Sequence, residues 1–138
     1  MSGVGKMKYR SGYKYQLARA FDVQTSIIPP TVLVSEFMVM DRNGLLIVNA
    51  GYAWDGATCF PDMKSIMRGS LIHDALYQLM REGLLPSHWK DSADEELRRA
   101  CVHDGMSKWL AQAVYLAVQK FGKLATDPRN KKPEITAP

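Results

Sequence analysis

Residues 64–102 read KSIMRGSLIHDALYQLMREGLLPSHWKDSADEELRRACV, and this stretch decides the fold. Ile66, Ser70, His73, Tyr77 and Met80 recur at three- and four-residue spacing. That spacing lays one stripe along a helix, predicted over residues 64–82. Gly83 is a good helix stop, and Pro86 marks the connector 84–90. Ser92-Ala93-Asp94-Glu95 has the spacing of a capping box, with Ser92 as N-cap and Glu95 as N3. It opens a second helix reaching about residue 102. The expectation is an antiparallel helix pair, with a third helix, mostly apolar or small in its middle, over 106–121.

Upstream, the pattern changes from helical to extended. Tyr13, Tyr15 and Leu17 alternate with Lys14, Gln16 and Ala18, the period of a half-buried strand. Residues 21–28 mix Phe, Val, Thr and Ile, residues 32–40 are rich in Val and Phe, and Pro29-Pro30 separates them. Asn43-Gly44 is a strong hairpin turn signal before the return strand 45–48. The fold expected is α+β: a small N-terminal antiparallel sheet, a loop, and about three helices. One domain of 138 residues accommodates this. Its expected parts are an arm at about 1–8, a sheet at about 9–49, a functional loop at 50–63, a helical part at 64–122 and a basic tail at 123–138.

Charge sharpens the class. The net charge of +4 is unevenly spread. Residues 1–19 hold five basic and no acidic residues, residues 20–119 hold eight and twelve, and residues 120–138 hold five and two. An acidic body with basic ends argues against a basic nucleic-acid-binding face, and no nucleic-acid motif is present. Two cysteines, Cys59 and Cys101, are too few for a disulfide scaffold or a four-cysteine zinc site. Residues 1–14 lack the apolar segment of a signal peptide, and the most apolar stretch, 109–118, is too short to span a bilayer.

The chemistry gathers on two helices and one loop. His73 and Tyr77 are four apart on one face and can meet a common partner. Asp94, placed in the first turn of the second helix, reaches His73 if the helices are antiparallel. A carboxylate on one imidazole nitrogen fixes the tautomer and leaves the other nitrogen as a base. Asp74 is turned about 100° from His73 around the helix. The loop Gly51-Tyr52-Ala53-Trp54-Asp55-Gly56-Ala57-Thr58 has glycines that let backbone carbonyls turn toward a point, and hard cations take carbonyl and carboxylate oxygens. A structural turn anchored by Tyr52 and Trp54 explains the same loop. His103-Asp104-Gly105 repeats the His-Asp pair without a following Tyr, and sits where a helix end favours His and Gly.

Two resemblances rest on these residues. The strand region, Gly51-Tyr52, Asp55-Gly56-Ala57-Thr58, Pro61, His73-Asp74, Tyr77 and Ala93-Asp94 together resemble a family of small proteins of unassigned activity encoded by tailed phages and prophages. His73-Asp74-x-x-Tyr77 followed by Ala93-Asp94 is similar to the catalytic core of phospholipases A2, closest in style to the disulfide-free parvovirus capsid form. That second resemblance implies His73 as general base, Asp94 as its orienting carboxylate and Tyr77 as support for Asp94. It implies calcium held by Asp74 and by carbonyls near Tyr52 to Gly56, where Asp55 either fills the calcium site in place of a carbonyl or occupies the space a substrate needs. Here, unlike in those enzymes, Trp54 interrupts the loop and a strand-rich segment precedes it.

Two functions follow as expectations. One is a phage-encoded, calcium-dependent lipid-ester hydrolase, or a degenerate relative, with a phospholipid membrane surface as partner. The other is a non-enzymatic virion component of the tail or neck, in which His73, Asp74, Tyr77 and Asp94 form a buried network. Its basic termini and third helix would contact phage structural proteins or a second copy. Either places the protein in the host cytoplasm during expression, or on a virion.

Overall fold

The computed structural model describes residues 9–10, 15–54 and 63–121. They fall into two compact units, one ending at Trp54 and one beginning at Met63. The architecture is α+β, with small antiparallel sheets followed by three helices.

The first unit holds seven short strands: β1 (Tyr9–Arg10), β2 (Tyr15–Leu17), β3 (Phe21–Gln24), β4 (Leu33–Val34), β5 (Met38–Met40), β6 (Leu45–Val48) and β7 (Ala53–Trp54). They form two sheets where the sequence predicted one, in the orders β1-β2-β7 and β3-β6-β5-β4. Period-2 patterning decides which side chains go inside. Phe21 and Val23, Met38 and Met40, and Leu46 and Val48 are buried, while Asp22, Val39 and Ile47 between them face outward. Residues 32–40, predicted as one strand, are two, because the chain reverses at Ser35, whose N–H donates to the Met38 carbonyl at 2.8 Å. That turn contains no glycine or proline to announce it.

The Asn43-Gly44 hairpin is present between β5 and β6. The Asp41 side chain accepts from the N–H groups of Asn43 (2.8 Å) and Leu45 (3.0 Å), and so shapes the turn. Gly44 has a φ of +88°, which side chains with a Cβ rarely adopt.

The second unit is α1 (Lys64–Arg81), α2 (Lys90–His103) and α3 (Lys108–Phe121), with a 3-10 turn at Ser87–Trp89. α1 is the central element, buried on most of its circumference. Gly83, at φ +75°, ends it as predicted. α1 and α2 are antiparallel: Arg68 pairs with Asp104, Gly69 lies against Leu97 and Cys101, and His73 meets Asp94. Ile66, Leu97, Cys101, Met106, Ala111 and Val114 join all three helices in one apolar core.

The start of α2 corrects the capping-box reading. The helix begins at Lys90, with Trp89 at the N-cap and no side-chain cap. The preceding 3-10 turn runs directly into the helix, starting it before Ser92: Trp89 N–H bonds Pro86, and Lys90 N–H bonds Ser87. Ser92 therefore lies inside the helix, and Glu95 pairs with Arg98 instead of reaching back. Asp94 falls in the second turn, not the first. No helix among the described residues is long and apolar enough to cross a membrane.

Candidate functional site

α1 and α2 approach closely because Gly69 has no side chain at their crossing. A Cβ there would sit 2.9 Å from Leu97 Cδ1 and 3.1 Å from the Leu97 carbonyl oxygen. One turn further along α1, the gap between the helices is filled by His73 and then by Tyr77, whose rings lie 4.0 Å apart between centroids. Both point at Asp94, whose side chain is completely buried.

The carboxylate of Asp94 is divided between two pairs of donors. Oδ1 accepts from His73 Nε2 at 2.6 Å and from the Tyr77 hydroxyl. Oδ2 accepts from Lys90 Nζ at 2.8 Å and from Gln119 Nε2 at 2.5 Å. The donors come from all three helices: His73 and Tyr77 on α1, Lys90 on α2, Gln119 on α3. Four donors satisfy the usual capacity of one carboxylate.

Charge follows from this. Burial pushes the Asp94 carboxyl up, but hydrogen bonds from His73, Lys90 and Tyr77 outweigh burial and hold it below the ordinary carboxylate range. Burial and the bond to Asp94 push the Tyr77 phenol up, so it stays a protonated donor. An ionised Asp94 acting as acceptor assigns the proton of His73 to Nε2. The other nitrogen, Nδ1, is then the basic lone pair, and among the described residues it has no hydrogen-bond partner. His73 keeps a side-chain exposure of 9%, so the site is close to solvent without being open to it.

The structure thus unites three of the residues singled out by sequence: His73, Tyr77 and Asp94. Asp74 follows on α1, half-buried, and its charge adds to the upward push on Tyr77. Tyr52 belongs to the first unit, where it is buried with Trp54 stacked beside it at 6.4 Å. Its carbonyl accepts the Leu17 N–H at 2.8 Å, and the Gly51 carbonyl accepts Gln16 Nε2 at 3.2 Å. The described part of the 50–63 loop is therefore a turn and a strand, with these carbonyls engaged by the sheet. Asp55 and Gly56 lie outside the described residues. No group of three or more His, Cys, Asp or Glu suited to a metal occurs among the described residues.

Lys90 and Gln119 are absent from the sequence reading. Lys90 carried a signal, four residues before Asp94 on one helix face. Gln119 carried none, because only the packing of α3 on α2 brings it to Oδ2. The second His-Asp pair has a plain structural role: Arg68 grips Asp104 through two bonds, at 3.0 and 3.2 Å, and Gly105 ends the helix at φ +108°. Comparison with protein-family models, curated proteins and solved structures finds no match.

Proposed function

We propose that the chain is a phage-encoded hydrolase of lipid esters, working through a His73–Asp94 pair of the phospholipase A2 type. The observation that supports this most is the single oxygen, Asp94 Oδ1, shared by His73 Nε2 and the Tyr77 hydroxyl across an antiparallel helix pair. In this reading His73 Nδ1 takes a proton from water as the water oxygen attacks the ester carbonyl carbon. The bond to the alcohol oxygen then breaks, and the imidazolium returns its proton to that oxygen, releasing a fatty acid and an alcohol. Asp94 stabilises the transient imidazolium, and its buried position strengthens that effect. Tyr77 holds Asp94 in place.

The resemblance attaches calcium to Asp74, which would polarise the ester carbonyl. The Tyr52 carbonyl accepts the Leu17 N–H, Asp55 and Gly56 lie outside the described residues, and no step above passes through a cation.

The test is fatty-acid release from phospholipid vesicles, with added calcium in one arm and chelator in another. Hydrolysis that falls at least about a hundredfold in His73→Ala is expected. Wild-type release no higher than that of His73→Ala, in every arm, removes the hydrolase.

A second reading has its own observation. Lys90 and Gln119 give Asp94 two donors that a His-Asp pair does not need, making it a joint of three helices. This favours a non-enzymatic virion component in which the cluster is a buried lock. A stable, well-folded protein without activity in the vesicle assay supports it.

A further inference from the structure

The four bonds to Asp94 are sorted by oxygen. Oδ1 takes its donors from α1, namely His73 and Tyr77. Oδ2 takes its donors from the other two helices, Lys90 of α2 and Gln119 of α3. An aspartate carboxylate turns easily about its last bond, whose torsion has broad minima. Anchored at one oxygen, it can swing and tilt its plane. Anchored at both, it presents one fixed oxygen to the imidazole.

The Oδ2 side is itself tied together. The Gln119 amide has two hydrogens and gives both to α2, one to Asp94 Oδ2 at 2.5 Å and one to Asp91 Oδ1 at 3.0 Å. Asp91 and Asp94 are three apart and share a helix face. Lys90 Nζ, 2.8 Å from Oδ2, also reaches the Gln119 carbonyl oxygen at 3.4 Å. Side chain and backbone of Gln119 thus hold the same turn of α2. The Lys90 side chain is only 13% exposed, so little water competes for its ammonium group.

Lys90 also bears on where the proton between Asp94 and His73 lies. An ionised carboxylate only accepts, so Nε2 carries the hydrogen and Nδ1 the lone pair. A neutral carboxyl would donate to Nε2 instead. The imidazole hydrogen would then sit on Nδ1, which could no longer act as a base. The ammonium group beside Oδ2 favours the ionised carboxylate.

We propose that Lys90 and Gln119 are positioning residues that clamp Asp94 Oδ2, so that Oδ1 fixes the proton of His73 on Nε2 and keeps Nδ1 as the base. The use of that base on an ester rests on the lipid-ester reading above, whereas the tautomer can be read without any substrate.

The experiment is nitrogen-15 NMR of the histidine rings in the full chain, at a pH well above the ordinary imidazole range. The His73 signals are those missing from His73→Ala. In the wild type they should show one tautomer, with hydrogen on Nε2 and a bare Nδ1. Lys90→Met and Gln119→Leu keep most of each side chain's bulk and remove its donor. In each, the two ring nitrogen shifts should move toward each other as the Nδ1–H form mixes in. A loss of stability alone would leave the tautomer of the folded protein as it was. Gln119→Leu removes a neutral donor at the end of α3, so it serves even if Lys90→Met does not fold. In the vesicle assay each folded variant should lose about tenfold in kcat with KM unchanged.

A wild type with hydrogen on Nδ1, or with mixed tautomers, overturns the proposal. A variant that folds and keeps the wild-type ring shifts removes the residue it changes, and leaves that residue as part of a structural lock. Ring shifts that move in both variants support the clamp. If they move while the wild type releases no fatty acid, the hydrolase is removed and the clamp stands.

Discussion

Asp94 is the residue on which the helical unit is most sharply poised. A fully buried carboxylate is tolerable only while its partners remain, and here all four are hydrogen-bond donors. Asn at this position keeps the shape, but it removes the charge and turns an NH2 group toward donors. The expected cost of Asp94→Asn is about 3 kcal/mol, in the range seen when one partner of a buried pair is removed. Urea unfolding followed by circular dichroism checks this, and an unchanged midpoint would mean that the network carries no load. His73 and Tyr77 were visible as a pair in the sequence because helical spacing alone puts them on one face. Their meeting with Asp94 was visible only as a condition on how the helices run.

At the scale of elements, the α1–α2 crossing sets the geometry, and Gly69 sets the crossing. Alanine is the better helix former by about 1 kcal/mol. Gly69→Ala should nonetheless destabilise, since its Cβ would press on the Leu97 carbonyl at 3.1 Å and Cys101 Sγ at 3.3 Å. A net loss of about 1 kcal/mol in chemical denaturation is expected, and a gain would show that the helices can move apart freely. Helix existence was legible from periodicity and from Gly83. Helix starts were less so. The Ser92-x-x-Glu95 spacing imitates a cap, yet the 3-10 turn before Lys90 leads straight into the helix and puts Ser92 inside it. In the first unit, burial alternates along β3, β5 and β6, but the alternation read from the sequence around β2 fails at Gln16, which is buried beside Leu17. Local patterning could not divide the strands between two sheets, because pairing partners distant in sequence leave no local trace.

At the scale of the molecule, pH should act through the carboxylate that is held low. The folded state keeps Asp94 ionised below its ordinary range, so it binds fewer protons than the unfolded chain near pH 4. Its contribution to stability is therefore complete above that range and is lost as pH falls through the lower folded value. Melting temperature recorded from pH 6 to pH 2 should drop more steeply for the wild type than for Asp94→Asn, and parallel curves would remove Asp94 from the acid response. The uneven charge of the chain belongs to this scale too. Its basic ends and acidic middle are a property of the whole sequence, whereas the exposure of Trp109 and Leu116 on α3 is a property of packing.

The sequence by itself determined the α+β class, the three helices, the Asn43-Gly44 hairpin and the chemistry available at His73, Tyr77 and Asp94. Each of these rests on local periods and turn residues, which act over a few positions of chain. Tertiary structure alone decided that two sheets form, that Lys90 and Gln119 complete the Asp94 site, and that Trp109 and Leu116 remain outside the core. Those outcomes depend on which surfaces are buried together, and burial is settled between elements, not within them.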